Sequence, residues 1–163
     1  MPSEKIISLD EIIKRRTQFR ELKKRLVFTN GCFDILHIGH VRYLNHARTL
    51  GDVLVVAVNS DCSVRQIKGE SRPLIPEMER AEVLAALSSV DFVFIFDDAT
   101  PREVIDAIVP DVLVKGADWE LPDIVGRDTV EKAGGSVQTV PLVEGSSTSG
   151  IIRTVLDRFG LPS

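Results

Sequence analysis

The sequence predicts a single α/β domain, a doubly wound, five-stranded parallel sheet covered by helices. Three observations lead there. Five short β-favouring runs, at residues 26–29, 53–58, 92–96, 112–114 and 136–140, alternate with segments of helical period, the pattern of parallel strands joined by crossover helices. The second run, Val-Leu-Val-Val-Ala-Val, is apolar at every position, as a central parallel strand buried on both faces must be. Glycines, hydroxyls and charged residues collect just after the runs, and in an open α/β sheet that gathers them at the carboxyl edge, where ligands bind.

Taken in order, residues 1–24 read as an N-terminal helical extension. Ser8-Leu9-Asp10-Glu11 has the form of a capping box, and the charged run to Lys24 continues the helix, with Lys14, Arg15, Arg16, Lys23, Lys24 and Arg25 as a solvated face. The domain proper spans 25–160. Its first strand hands over to a helix from about Gly39 to Leu50, with Gly51 as the C-cap. The second strand ends in Asn59-Ser60-Asp61, polar residues at a carboxyl edge. Residues 61–76 carry Arg65, Lys68, Gly69, Arg72, Pro73 and Pro76 and read as an irregular basic loop suited to an anionic ligand.

Pro76 opens a helix through Leu87, with Glu77 and Glu79 near its positive end. After the third strand, Thr100-Pro101 caps a helix over 102–109 that Pro110 stops. The fourth strand delivers Lys115-Gly116-Ala117-Asp118-Trp119, whose glycine and carboxylate could meet a base or ribose, while Trp119 covers a ring or anchors the loop. A helix near 128–133 ends at Gly134-Gly135, and the fifth strand follows. The hydroxyl-rich stretch Glu144-Gly145-Ser146-Ser147-Thr148-Ser149 then leads into an amphipathic helix carrying Ile151, Ile152, Val155, Leu156 and Phe159. Ser147 or Thr148 makes its N-cap, and the same hydroxyls and free N–H groups can hold a triphosphate.

Composition narrows the function. A chain of 163 residues buries about two thirds of its unfolded surface, so its core needs no staple. Cys32 and Cys62, with no Cys/His cluster at zinc spacing, read as reduced thiols of a cytoplasmic protein. A net charge of −4 without a basic stripe argues against a nucleic-acid partner. No apolar stretch reaches the roughly 18 residues of a membrane span, and the N-terminus lacks an apolar signal core. With no G-x-G-x-x-G after the first strand and no G-x-x-x-x-G-K-S/T anywhere, dinucleotide and P-loop readings are weak.

The chemistry centres on Thr29-Asn30-Gly31-Cys32-Phe33-Asp34-Ile35-Leu36-His37-Ile38-Gly39-His40. A strand handing over to a helix at the carboxyl edge presents unpaired N–H groups and the positive end of the helix dipole to an anion. His37 and His40 fall at this mouth and can face one ligand, and Gly39 allows close backbone approach. Spacing alone also fits a solvated helix start or half a metal site.

The full string resembles the T/H-x-G-H signature of the nucleotidyltransferase superfamily. The cytidylyltransferase-like branch carries a G-x-F-D-x-x-H-x-G-H core, here Gly31, Phe33, Asp34, His37, Gly39 and His40. Lys68-Gly69 with Arg72, Glu79-Arg80, and Lys115-Gly116-x-Asp118-Trp119 with Gly145-Ser146-Ser147-Thr148 agree in order over about residues 25 to 156. The resemblance implies a Rossmann-like sheet of the HxGH nucleotidyltransferase type. By it, His37, His40 and Lys68 would be catalytic. Thr29, Asn30, Gly31, Phe33, Gly39, Arg80, Lys115, Gly116, Asp118, Ser147 and Thr148 would form the nucleotide site, and Asp34, Asn59, Lys68 and Arg72 the site of the second substrate.

Leu142 stands where glycerol-3-phosphate cytidylyltransferases open an R-T-E-G-x-S-T motif with arginine, which argues against CTP and glycerol phosphate. A closer likeness, over Thr29 to His37, Asn59-Ser60-Asp61, Lys68-Gly69-x-Ser71-Arg72-Pro73 and Leu113 to Gly116, is to the heptose-1-phosphate adenylyltransferase domains of ADP-heptose synthesis, often fused behind a sugar kinase. It implies a stand-alone, homodimeric version that uses ATP, with Mg²⁺ on the triphosphate, and a sugar 1-phosphate for lipopolysaccharide core assembly. No protein ligand to the metal is assigned, although Asp34 is the nearest carboxylate, and His46 reads as ordinary surface. The rival readings are a CTP-dependent enzyme acting on glycerol or ethanolamine phosphate, a non-catalytic nucleotide-binding module, and a zinc hydrolase built on His37 and His40, which lacks a third ligand.

Overall fold

In the computed structural model, which describes residues 2–141 and 143–160, the strands are β1 (Leu26–Gly31), β2 (Val53–Asn59), β3 (Phe92–Phe96), β4 (Val112–Gly116) and β5 (Ser136–Val140). All are parallel, in the order β3-β2-β1-β4-β5. The helices are α1 (Leu9–Glu21), α2 (Ile38–Arg48), α3 (Asp61–Lys68), α4 (Glu77–Ala85), α5 (Arg102–Ile108), α6 (Arg127–Lys132) and α7 (Thr148–Phe159). Winding outward from β1 in both directions buries the sheet on both faces. Leu54, Val56 and Val58 of β2 pack with Leu44 and Leu84 on one face; Val55 and Ala57 pack with Ile12, Phe94 and Ile105 on the other. Every residue of β2 is buried. Among the described residues no helix is long and apolar enough to cross a membrane.

The N-terminal segment is part of this core. Ser8 caps α1 by accepting from the Glu11 amide at 3.2 Å, Ile12 is fully buried, and Ile6 pairs with Val93 beside β3. Arg16 departs from the solvated face expected of its cluster. It is buried, and its guanidinium makes a bidentate bond to Asp111 (2.9 and 2.8 Å) and donates to the Val109 carbonyl at 2.9 Å. Val109 holds a left-handed φ of 47°, an unfavourable conformation for a β-branched residue that this bond helps to fix. Asp111 also accepts from the Leu26 amide at 2.7 Å, as Asp91 does from the Leu54 amide at 2.7 Å. A carboxylate preceding one strand thus caps the N–H of its neighbour, satisfying donors at the amino edge.

Three local expectations change. The basic loop contains α3, which Ser60 caps by accepting from the Ser63 amide at 3.2 Å; the cap was legible, but Arg and Lys so close to Gly69 and Pro73 masked the short helix. Thr49, rather than Gly51, is the C-cap of α2. Gly51 is needed for close approach, since a Cβ there would lie 2.7 Å from Val27 Cγ2 and 2.8 Å from the Arg25 carbonyl oxygen. At α5 the N-cap is Pro101, without a side-chain bond from Thr100. Leu142, the departure from the R-T-E-G-x-S-T pattern, lies outside the described residues.

Because Arg16 serves a carboxylate, a strained carbonyl and the start of β1 together, Arg16→Ala should lower stability by about 2–3 kcal/mol in urea denaturation, less than a fully buried pair because the Asp111 side chain is 33% exposed. A midpoint within error of wild type would show that α1 does not lock the sheet edge.

Candidate active site

The site begins where two neighbouring strands part. β1 and β4 pair only at Val27 with Val112 and Phe28 with Leu113, whereas β1 and β2 stay paired from Leu26 to Gly31. Beyond Phe28 the backbone ladder stops and side chains bridge the gap. The Tyr43 hydroxyl, from α2, donates to the Val114 carbonyl at 3.0 Å and lies 2.7 Å from Thr29 Oγ1. One step further, the Lys115 ammonium donates to Asn30 Oδ1. Burial pushes the Tyr43 phenol well above its ordinary value and brings the Lys115 ammonium down to about 8. Above these rungs opens a cleft of about 540 Å³. Sequence reasoning missed Tyr43; its signal was its place one helical turn after His40.

At the mouth, His37 is the N-cap of α2, its Nδ1 accepting from the Gly39 amide at 3.1 Å. That bond requires Nδ1 unprotonated, so in the neutral ring Nε2 carries the hydrogen. The His40 ring stacks on it, centroids 3.9 Å apart and planes 26° from parallel, and meets the edge of Phe33 at 5.2 Å. Phe33 holds a left-handed φ of 48°, and its ring lies against Gly31, where a Cβ would be 3.0 Å from Cε2. A Cβ on Gly39 would lie 2.8 Å from the His37 ring. Both glycines therefore make room for rings. Burial, with the neighbouring His37, holds His40 down to about 4, and burial lowers His37 as well. His40 Nδ1 is buried with no hydrogen-bond partner among the described residues.

Two of the expected site residues brace the chain. The Asp34 side chain is fully buried; it accepts from the Leu74 and Ile75 amides, each at 2.8 Å, and from Arg72 Nε at 2.5 Å. Burial works to raise its carboxyl, but those donors outweigh it and hold the group below the usual carboxylate range. Its acceptor positions are engaged by the chain itself, so at the cleft wall Asp34 holds the segment after α3. Arg80 is buried in α4, bonded to the Cys32 carbonyl, to the Ile75 carbonyl at 2.9 Å and to Asp61 at 2.9 Å. It stands behind the cleft wall and fixes the turn after β1. Thr29 is likewise fully buried, its hydroxyl engaged with Tyr43.

The other expected residues line the cleft. Asn30 and Gly31 end β1, and Lys115 and Gly116 end β4 opposite them. Asp118 and Trp119 are exposed on the following loop, with the Lys115 ammonium 5.9 Å from the indole centroid. Lys68, exposed at the end of α3, and Arg72, half-buried, put positive charge on the β2 side, beside buried Asn59. Ser147 caps α7, accepting from the Gly150 amide at 3.0 Å, and Thr148 donates to the Ile35 carbonyl at 3.5 Å. That last bond ties the start of α7 to the turn between β1 and α2, so two helix N-termini open on one cleft.

Such a split at the switch point of a β3-β2-β1-β4-β5 sheet, with histidines in place of a glycine-rich phosphate loop, makes this an α/β domain with an anion-ready cleft at its carboxyl edge. The chain belongs to the Cytidylyltransferase-like family, whose sequence model matches residues 28–153. It is 56% identical over 140 residues to the Bifunctional protein HldE of Syntrophotalea carbinolica, covering 86% of this chain and 29% of that one. The HldE of Geobacter sulfurreducens is 54% identical over 137 residues, 84% of this chain and 28% of that one. The chain thus spans under a third of the length of these relatives. Among solved structures, a lipopolysaccharide core biosynthesis protein from Thermoplasma volcanium superposes with a TM-score of 0.60 at 28% identity, covering 74% of this chain and 97% of the other. A pantoate-beta-alanine ligase from Francisella tularensis, 13% identical with a TM-score of 0.61 over 93% of this chain and 78% of its own, shares the fold.

Tyr43→Phe keeps the ring and removes one bridging hydroxyl, so it should cost about 1–2 kcal/mol in urea denaturation; unchanged stability would mean the strands keep their divergence without it. The histidine pair predicts a pH dependence. The unfolded chain protonates His40 near 6.5 and the folded chain only near 4, so stability is unaffected above that window and falls as pH is lowered through it. In His40→Gln that part of the slope should vanish, and a slope identical to wild type would assign it to other groups.

Proposed function

We propose that the chain is an adenylyltransferase that moves AMP from ATP to a sugar 1-phosphate, heptose 1-phosphate, releasing pyrophosphate and giving ADP-heptose for lipopolysaccharide core assembly in the cytoplasm. The observation that carries this is the stacked, neutral His37–His40 pair at the start of α2, with a buried ring nitrogen of His40 left unpaired beside the cleft. Partly buried, neutral imidazoles held in this way can donate to a phosphate that carries growing negative charge. The identity to HldE proteins and the likeness to a lipopolysaccharide core biosynthesis protein support the sugar side of the reading.

In the reaction an oxygen of the acceptor phosphate bonds to the α-phosphorus of ATP. The bond from that phosphorus to the α,β-bridging oxygen breaks, and pyrophosphate leaves with the electron pair. The acceptor is already anionic, so no side chain need act as nucleophile or base, and catalysis rests on orientation and charge neutralisation. His37 Nε2–H and His40 would meet the reacting phosphates. The start of α7 with Ser147 and Thr148 would hold the triphosphate, and Lys68 and Arg72 the acceptor phosphate. Asn30, Lys115, Asp118 and Trp119 would hold the nucleoside end.

Among the described residues no three His, Cys, Asp or Glu side chains converge on one point, and Asp34 is committed to the chain. The donor set fits a Mg²⁺ that is carried by phosphate oxygens and water and neutralises triphosphate charge. A homodimer, as the resemblance implies, is part of the proposal.

Pyrophosphate release measured with ATP and CTP against heptose 1-phosphate, other aldose 1-phosphates, glycerol 3-phosphate and phosphoethanolamine is the deciding experiment. Release with ATP and an aldose 1-phosphate is expected. A preference for CTP with glycerol phosphate would overturn the assignment, and ATP binding without release would mark a non-catalytic module. His40→Ala should lower turnover by roughly two to three decades, and near-normal turnover of a folded variant would remove the histidines from the chemistry. Lys68→Ala should raise the KM of both substrates; if neither changes, α3 does not clamp phosphate.

A further inference from the structure

Beside Lys68 and Arg72, the β2 side of the cleft holds an uncharged group whose orientation is fixed. Asn59, at the end of β2, is only 3% exposed. Its Nδ2 donates to Ser63 Oγ at 2.9 Å, and that hydroxyl donates in turn to the Asp98 carbonyl at 2.9 Å. The relay fixes which way the amide faces. With its nitrogen turned to Ser63, Oδ1 is the end of the amide that this relay does not engage, in a side chain that lines the cleft. The same relay ties the segment after β3 to α3, bringing Thr100 to the cleft wall.

An acceptor oxygen in a buried wall repels phosphate oxygens, which have no hydrogen to give, and is satisfied by a hydroxyl. The nearby cations of Lys68 and Arg72 suit the phosphate of the same molecule. Sheet order separates this pocket from the nucleoside end, because Asn59 leaves β2 on one side of β1 while Lys115 leaves β4 on the other.

Resting on the adenylyl transfer described above, we propose that Asn59 Oδ1 accepts a hydrogen bond from a hydroxyl of the acceptor. This half of the cleft therefore selects polyhydroxylated phosphate esters over simple monoesters. Ser63 is the positioning residue that aims the amide, and Thr100 adds a second hydroxyl-binding group at the rim. A site built to pair a hydroxyl rejects analogues that lack it, since its own buried polar group is then left unpaired.

The test is steady-state pyrophosphate release with ATP and three acceptors: heptose 1-phosphate, a series of its monodeoxy analogues, and methyl phosphate. Asn59→Ala should lower kcat/KM for heptose 1-phosphate roughly 10- to 100-fold, a far larger loss than with methyl phosphate, and leave the KM for ATP within about twofold. One deoxy analogue should already be poor with wild type and lose nothing more in the variant. Ser63→Ala, which keeps the amide but frees its rotation, should show a smaller loss on the same acceptors, and it carries the test if Asn59→Ala does not fold.

A loss shared equally by all acceptors, a matching rise in the KM for ATP, or no change overturns the inference. Wild-type turnover with an indifferent Asn59→Ala defeats this inference alone. Wild type releasing pyrophosphate with no aldose 1-phosphate defeats the transfer reading and this inference with it.

Discussion

The molecule depends on the early end of one backbone ladder. A parallel sheet is stabilised by continuous pairing, yet β1 and β4 pair only at Val27–Val112 and Phe28–Leu113 and then separate. Backbone groups facing that gap would be stranded without partners; the Tyr43 hydroxyl satisfies the Val114 carbonyl and pairs with the Thr29 hydroxyl, and Lys115 spans the gap to the Asn30 side chain. Tyr43 comes from the helix that carries His40, and Lys115 from the strand that leads to Asp118 and Trp119. The same few bonds that hold the sheet open thus set the distance between the two ends of the cleft.

A second constraint runs behind the cleft wall. Asp34 and Arg80 are among the most buried polar residues, and desolvating two charges is expensive unless every donor and acceptor is met. Both conditions hold: Asp34 takes two amides and Arg72, while Arg80 gives to two carbonyls and Asp61. Together they lock the turn after β1 to α3 and α4, so the imidazoles rest on a rigid frame, and the Asp34 carboxylate at the cleft wall is already engaged by amides and Arg72. An anion then meets neutral rings, positive helix ends and ammonium groups.

The parts of this arrangement that were legible in the sequence are those governed by local rules. Strand runs, the Ser8 and Ser147 caps and the Gly31-to-His40 turn follow from residue type and spacing, and all stand within a few residues of their expected bounds. Arg16 was misread, and the bracing bonds of Asp34 were not visible, because their partners lie far along the chain: Asp111 is 95 positions from Arg16, and Leu74 is 40 from Asp34. A charged residue carries no local sign that it will be buried, since what neutralises it is brought by topology. Tyr43 was missed for the same reason, as its importance lies in a gap between strands that no single segment shows.

The neutral state of the histidines follows from the fold. Burial disfavours charge on His40, and His37 at its face would add repulsion if both were protonated. Without an anion the pair is therefore uncharged near neutral pH, and His40 Nδ1 is left with an unmet hydrogen-bonding capacity. A triphosphate held there, as proposed, would reverse each term by supplying negative charge and a partner for the ring nitrogens. The fold thus keeps both imidazoles in the neutral form that burial favours, and under the proposed function a bound phosphate would favour the charged form. That coupling needs two rings stacked face to face, and the stack exists because Gly39 has no side chain to push His37 aside.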